Sequence, residues 1–149
     1  MLINSVEEMR ALGVKVAAQL QAGDILVLRG NLGAGKTAFT QGIGRGLGIT
    51  DITSPTFVIA RTHRVKNAIP LIHVDAYRLL NNAGTSFEID DLDLDTSLEE
   101  AITIIEWGEE VAARLTNQYL LVDITFGADE NQRHVEFVPH GARWDGFKL

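Results

Sequence analysis

Apolar residues change their spacing several times along the chain, and each change marks an element. Val6, Met9, Leu12, Val16 and Leu20 recur every three or four residues behind Ser5-Val6-Glu7-Glu8, a capping box. A helix therefore opens the chain, and Gly23-Asp24 ends it. Ile25-Leu26-Val27-Leu28 is a short, apolar, partly β-branched run that reads as a buried strand. Phe39, Ile43 and Leu47 return to helical spacing and predict a helix running to Gly46 or Gly48. Phe57 to Val65 has strand character, Lys66-Asn67 suits a turn, and Ile69 to Asp75 is a second strand, so the two predict a hairpin. Ala101 to Ile105 reads as a buried strand closing in Glu106-Trp107-Gly108, and Glu109 to Leu115 as a short helix. Tyr119 to Phe126 and Arg133 to Val138 flank the turn Gly127-Ala128-Asp129-Glu130 and predict a last hairpin. Asn81 to Ser86 is a polar connector and Glu88 to Asp95 an acidic stretch. Strands alternating with helices first, and hairpins elsewhere, predict a three-layer α/β domain with a mixed β-sheet.

Composition narrows the partners. With 149 residues, 46% of them hydrophobic, the chain is expected to form one domain with its own core. A net charge of −7 without a prominent Lys/Arg cluster argues against gripping nucleic acid directly, because neutralised phosphates carry that affinity. Any contact with RNA is expected to run through a partner. The absence of cysteine rules out disulfides and thiolate metal sites and suits a reducing cytoplasm. The start Met1-Leu2-Ile3-Asn4-Ser5 carries no basic region followed by an apolar stretch, and no run of about 18 apolar residues occurs. The expectation is a cytoplasmic protein with no membrane partner.

Between the first strand and the helix that follows it stands Gly30-Asn31-Leu32-Gly33-Ala34-Gly35-Lys36-Thr37, which fits G-x-x-x-x-G-K-[ST] in the surroundings that motif requires. Its glycines let the backbone fold back so that N–H groups and a helix N-terminus meet phosphate oxygens together. Lys36, read as a solvent-facing loop lysine, would reach the β- and γ-phosphates, and the Thr37 hydroxyl would join a Mg²⁺ shell. The expected fold is thus P-loop NTPase-like. Such a loop needs an acid at the carboxyl end of a neighbouring buried strand. Asp75 and Glu106 both qualify; an acid there can also cap a turn or pair with an arginine.

Other residues carry two readings each. Ser54-Pro55-Thr56-Phe57 lies where such proteins often place a switch, with Thr56 able to touch the γ-phosphate or the metal; the alternative is a plain Ser-Pro turn. Trp107 suits either a stack on a ligand or partner or a place in the core. His73, two residues from Asp75 on the same strand face, reads as a hydrogen-bonded structural histidine ahead of the alternative, a catalytic one. Asp91-x-Asp93-x-Asp95 opens like a calcium loop, yet Thr96 replaces the glycine and Ile102 the bidentate glutamate, so it reads as a solvated acidic face. No Asn-Lys-x-Asp segment for guanine exists, and no arginine-rich lid is evident, which disfavours a Ras-like GTPase and a small-molecule kinase.

The phosphate loop, Ser54-Pro55-Thr56-Phe57, His73-Val74-Asp75-Ala76-Tyr77-Arg78-Leu79 and Ile104-Ile105-Glu106-Trp107, in that order, closely resemble the bacterial TsaE (YjeE) family over roughly residues 5 to 138. The resemblance implies an ATPase of tRNA threonylcarbamoyladenosine synthesis that works with the threonylcarbamoyl-transferring TsaD and its relative TsaB at adenosine 37 of tRNAs reading codons that begin with A. It implies phosphate binding by Lys36 and the amides of Gly33, Ala34, Gly35, Thr37 and Ala38, and Mg²⁺ held by Thr37 and Glu106. Asp75 would assist hydrolysis, and the backbone around Val6 would lie near the adenine. Position 38 departs from the family, which often has a hydroxyl there; Ala38 keeps only the backbone N–H. The stretch Asn81 to Asp95 departs too, in length and acidity. A small phosphotransferase and a nucleotide-binding module without useful hydrolysis are the competing functions.

Overall fold

A computed structural model describes residues 1–53, 60–77 and 97–149. In chain order the elements are β1 (Leu2–Ile3), α1 (Val6–Ala17), β2 (Ile25–Arg29), α2 (Lys36–Gly46), β3 (Ala60–His63), β4 (Leu71–Asp75), β5 (Ile102–Glu106), α3 (Glu109–Leu115), β6 (Tyr119–Phe126) and β7 (Arg133–His140), then a 3₁₀ turn at Ala142–Trp144. The switch residues Ser54, Thr56 and Phe57, Arg78, the polar connector and the acidic stretch lie outside the described residues.

The strands form one seven-stranded sheet in the order β1-β7-β6-β2-β5-β4-β3. β6, β2, β5 and β4 run parallel, while β3 pairs antiparallel with β4, β7 with β6 and β1 with β7. The sheet is mixed, as its alternation of helices and hairpins predicts, and the parallel strands are apolar on both sides because both faces are covered. Leu26, Leu28, Leu71, Ile102, Ile104, Leu120 and Ile124 share one core with Met9, Leu12 and Val16 of α1 and Phe39 and Ile43 of α2. Their alternates Ile25, Val27, Ile72, Val74, Ile105 and Leu121 pack with Ala112 of α3 on the other face. This period of two puts His73, Asp75 and Glu106 on the α1–α2 face. α1 and α2 touch backbone to backbone, since a Cβ on Gly13 or on Gly42 would overlap the opposing helix.

The capping box forms with a shift. Ser5 Oγ accepts from the Glu8 N–H (3.1 Å), but Glu8 accepts from Asn4 N–H (2.8 Å), one residue earlier than the motif describes. α1 stops at Ala17 rather than at Gly23-Asp24, because after Ala18 the amides bond three residues back instead of four, Gln19 N–H to Val16 O (2.9 Å) and Leu20 N–H to Ala17 O (3.2 Å). Leu20 keeps its contact with the core from outside the helix. β4 begins at Leu71 instead of Ile69, after Pro70, which has no N–H to give a ladder. β7 runs on to His140 because Tyr119 at the start of β6 pairs with it. β1 is too short for a pattern to reveal and exists through its pairing with β7.

Candidate functional site

The phosphate loop leaves the end of β2 and closes on the start of α2. At Gly30 a Cβ would lie 2.6 Å from Ile124 O, so the loop root passes too close to β6 for any side chain. Gly35 caps α2 with φ 112°, a left-handed conformation that glycine adopts freely, and supplies no side-chain cap. The positive end of the helix dipole is thereby turned towards the loop. The Ala34 N–H closes a turn on Asn31 O at 3.0 Å, and its methyl is buried in the core; Ala38 also packs there. Thr37 follows Lys36 in the first turn of α2, and Val6 opens α1 with half its surface exposed.

Lys36 is not the solvent-facing residue its loop position suggests. It is 7% exposed, and its ammonium donates to Gly30 O (2.7 Å) and Asn31 O (3.2 Å) under the Trp107 ring, whose centroid is 4.5 Å away. Burial lowers its pKa, and the negative charges of Glu106 and Asp75 oppose that shift without cancelling it. The loop thus holds a partly desolvated cation at the start of α2.

The charges of both acids act on that cation. Asp75 and Glu106 close adjacent parallel strands and are register partners, so the two carboxylates emerge side by side at the carboxyl edge of the sheet, where α/β folds place ligands. Asp75 Oδ1 also accepts from Tyr77 N–H (3.1 Å), the turn-capping role open to it. Glu106 Oε1 lies 2.8 Å from Nε2 of His73, which is fully buried. His73 is the hydrogen-bonded histidine expected, and its partner is an acid of the site. Trp107 is 40% exposed and not in the core; φ of 60° turns its backbone so that the ring covers Lys36 and meets Tyr77 at 6.3 Å. Among the described residues no three His, Asp or Glu side chains converge into a metal cage.

Two arginines frame the loop without any local sequence signal. Arg29, at its root, binds Asp123 (2.7 Å) and Glu109 (3.1 Å), and the hydrogen bond to Asp123 chiefly raises its pKa. Arg133 bonds the loop carbonyls of Ala34 (3.1 Å) and Gly33 (3.2 Å). Only the order of strands brings these residues together.

Residues 3–135 match the family described as Threonylcarbamoyl adenosine biosynthesis protein TsaE. The chain is 49% identical over 142 residues to a Streptomyces coelicolor protein named tRNA threonylcarbamoyladenosine biosynthesis protein TsaE, covering 91% of this chain and 93% of that one. A Bacillus subtilis protein of the same name is 36% identical over 141 residues, covering 93% and 84%. The crystal structure of Bacillus subtilis YdiB superposes with a TM-score of 0.77 at 29% identity, covering 97% of this chain and 87% of that one.

Proposed function

The chain belongs to the TsaE family, and from that premise we propose that it is a Mg²⁺-dependent ATPase that assists TsaB and TsaD in forming N6-threonylcarbamoyladenosine at position 37 of tRNA. The observation that carries the hydrolytic part is the gathering of Lys36, Asp75 and Glu106 at one edge of the sheet: a buried ammonium whose charge is opposed by two carboxylates on neighbouring strands. Lys36 and the amides of Gly33, Ala34, Gly35, Thr37 and Ala38 bind phosphates; Asp75 orients the attacking water. Thr37 and Glu106 would hold Mg²⁺. One hydroxyl and one carboxylate, both hard oxygen donors, suit a hard cation such as Mg²⁺. Bound there, the ion would neutralise charge on the β- and γ-phosphates.

Two described arginines beside the loop support partner dependence: Arg29 is tied to Asp123 and Glu109, and Arg133 to loop carbonyls, so neither is aimed at a γ-phosphate. In this reading stabilisation of the transferring phosphoryl group is completed in trans, and the protein alone turns over at about 10⁻⁴ to 10⁻³ s⁻¹. tRNA contact runs through the complex, in the cytoplasm. No helix among the described residues is long and apolar enough to cross a membrane. Steady-state phosphate release with and without TsaB and TsaD from the same organism tests this reading. A rise with the partners is expected; fast release that ignores them would favour a self-sufficient enzyme.

A further inference from the structure

A loop that turns its N–H groups inward must turn carbonyls outward, and something has to meet them. At Gly33 and Ala34 that partner is Arg133, the first residue of β7: Nη2 donates to Gly33 O (3.2 Å) and Nε to Ala34 O (3.1 Å). The guanidinium is itself fixed. Nη1 donates to Glu130 O (2.7 Å) and Gln132 O (2.8 Å), and Cζ sits 4.6 Å from the ring centroid of Phe126, its register partner across the β6–β7 hairpin. The same turn holds the chain entering α1, for Gln132 Nε2 donates to Asn4 Oδ1 at 3.2 Å. One hairpin end thus grips both the phosphate loop and the approach to α1.

We propose that Arg133 is a positioning residue for the phosphate loop, holding the Gly33 and Ala34 carbonyls outward so that the loop amides keep their phosphate-binding geometry before nucleotide arrives. The inference rests on the nucleotide-binding reading above. A planar fork with its donors at fixed angles can span two successive carbonyls; a lysine ammonium supplies charge without that geometry. The role is therefore separable from simple attraction of phosphate by a nearby cation.

The test uses the full chain and three variants, Arg133→Ala, Arg133→Lys and Phe126→Leu, the last removing the stacked ring while leaving the fork. ADP affinity is measured by calorimetry, and amide hydrogen exchange of residues 30–37 is followed without nucleotide. Arg133→Ala and Arg133→Lys should both weaken ADP about tenfold, and Phe126→Leu about twofold to threefold. Exchange in the loop should accelerate while the amides of β6 keep wild-type protection. An Arg133→Lys protein with wild-type affinity would assign the effect to charge and overturn the proposal, as would unchanged loop exchange in Arg133→Ala. If that variant does not fold, Phe126→Leu decides by the same two readouts. Wild-type protein without ADP affinity would remove the nucleotide reading; loop exchange in the ligand-free variants would still decide whether Arg133 positions the loop.

Discussion

Acids lie at both ends of the parallel strands, and the two ends treat them differently. Asp24, just before β2, is buried and saturated: Arg143 donates to Oδ1 (2.8 Å) and Oδ2 (2.7 Å), and Gln21 N–H donates to Oδ2 (2.9 Å). Arg143 also stacks on Trp144 and so ties the last residues of the chain to the sheet. At the opposite end Glu106 is held through one oxygen by His73 and shares the edge of the sheet with Asp75 and Lys36. A buried charge costs free energy unless it is paired and hydrogen-bonded. The Asp24 end meets that requirement within the chain and serves stability; the Glu106 end leaves carboxylate and ammonium near one another, bonded to other groups, and is the end proposed to serve a ligand.

The contrast predicts that substitutions at the two ends separate function from stability. Lys36→Ala should give the largest effect, a loss of ATP turnover of at least about 100-fold. Its melting temperature should move by no more than a few degrees, since the two lost hydrogen bonds are offset by no longer burying a charge. Phosphate release and a thermal melt on the same sample check both; normal turnover would remove the phosphate-loop assignment. Next, Asp75→Asn should slow hydrolysis by about 100-fold while leaving nucleotide affinity within about twofold. Glu106→Gln should instead weaken Mg²⁺-dependent binding about tenfold, by analogy with other lost ligand-shell groups. Titrations in the reverse order would exchange the two roles. The smallest effect on function belongs to Asp24→Asn, whose ADP affinity should match the wild type. Its cost is in folding, about 2–3 kcal/mol by urea denaturation, below the range for fully buried pairs because Arg143 is partly exposed.

Much of the site was legible because its grammar is local. The octapeptide from Gly30 to Thr37 announces a strand-to-helix phosphate loop, and the apolar runs before Asp75 and Glu106 announce strands that end in acids. The capping box places the start of α1 and misses only which amide Glu8 takes. The burial of Lys36 was not legible, for it depends on a tryptophan 71 positions along the chain whose backbone is turned by a positive φ. Nor was the end of α1, where Leu20 satisfies the helical period from a turn outside the helix.

Sequence alone determined the type and order of every described strand and α-helix longer than two residues, the strand-to-helix position of the Gly30 to Thr37 motif between β2 and α2, and which acids stand at strand ends. Hydrogen-bonded periodicity and glycine stereochemistry are written within a few neighbouring residues. Tertiary structure decided which strands are neighbours. Placing β5 between β2 and β4 sets Glu106 beside Asp75 and on His73, and pairing β6 with β7 delivers Arg133 to the loop across 99 positions. Strand order is chosen by how two apolar faces are covered at once, a property of the whole sheet that no single segment carries.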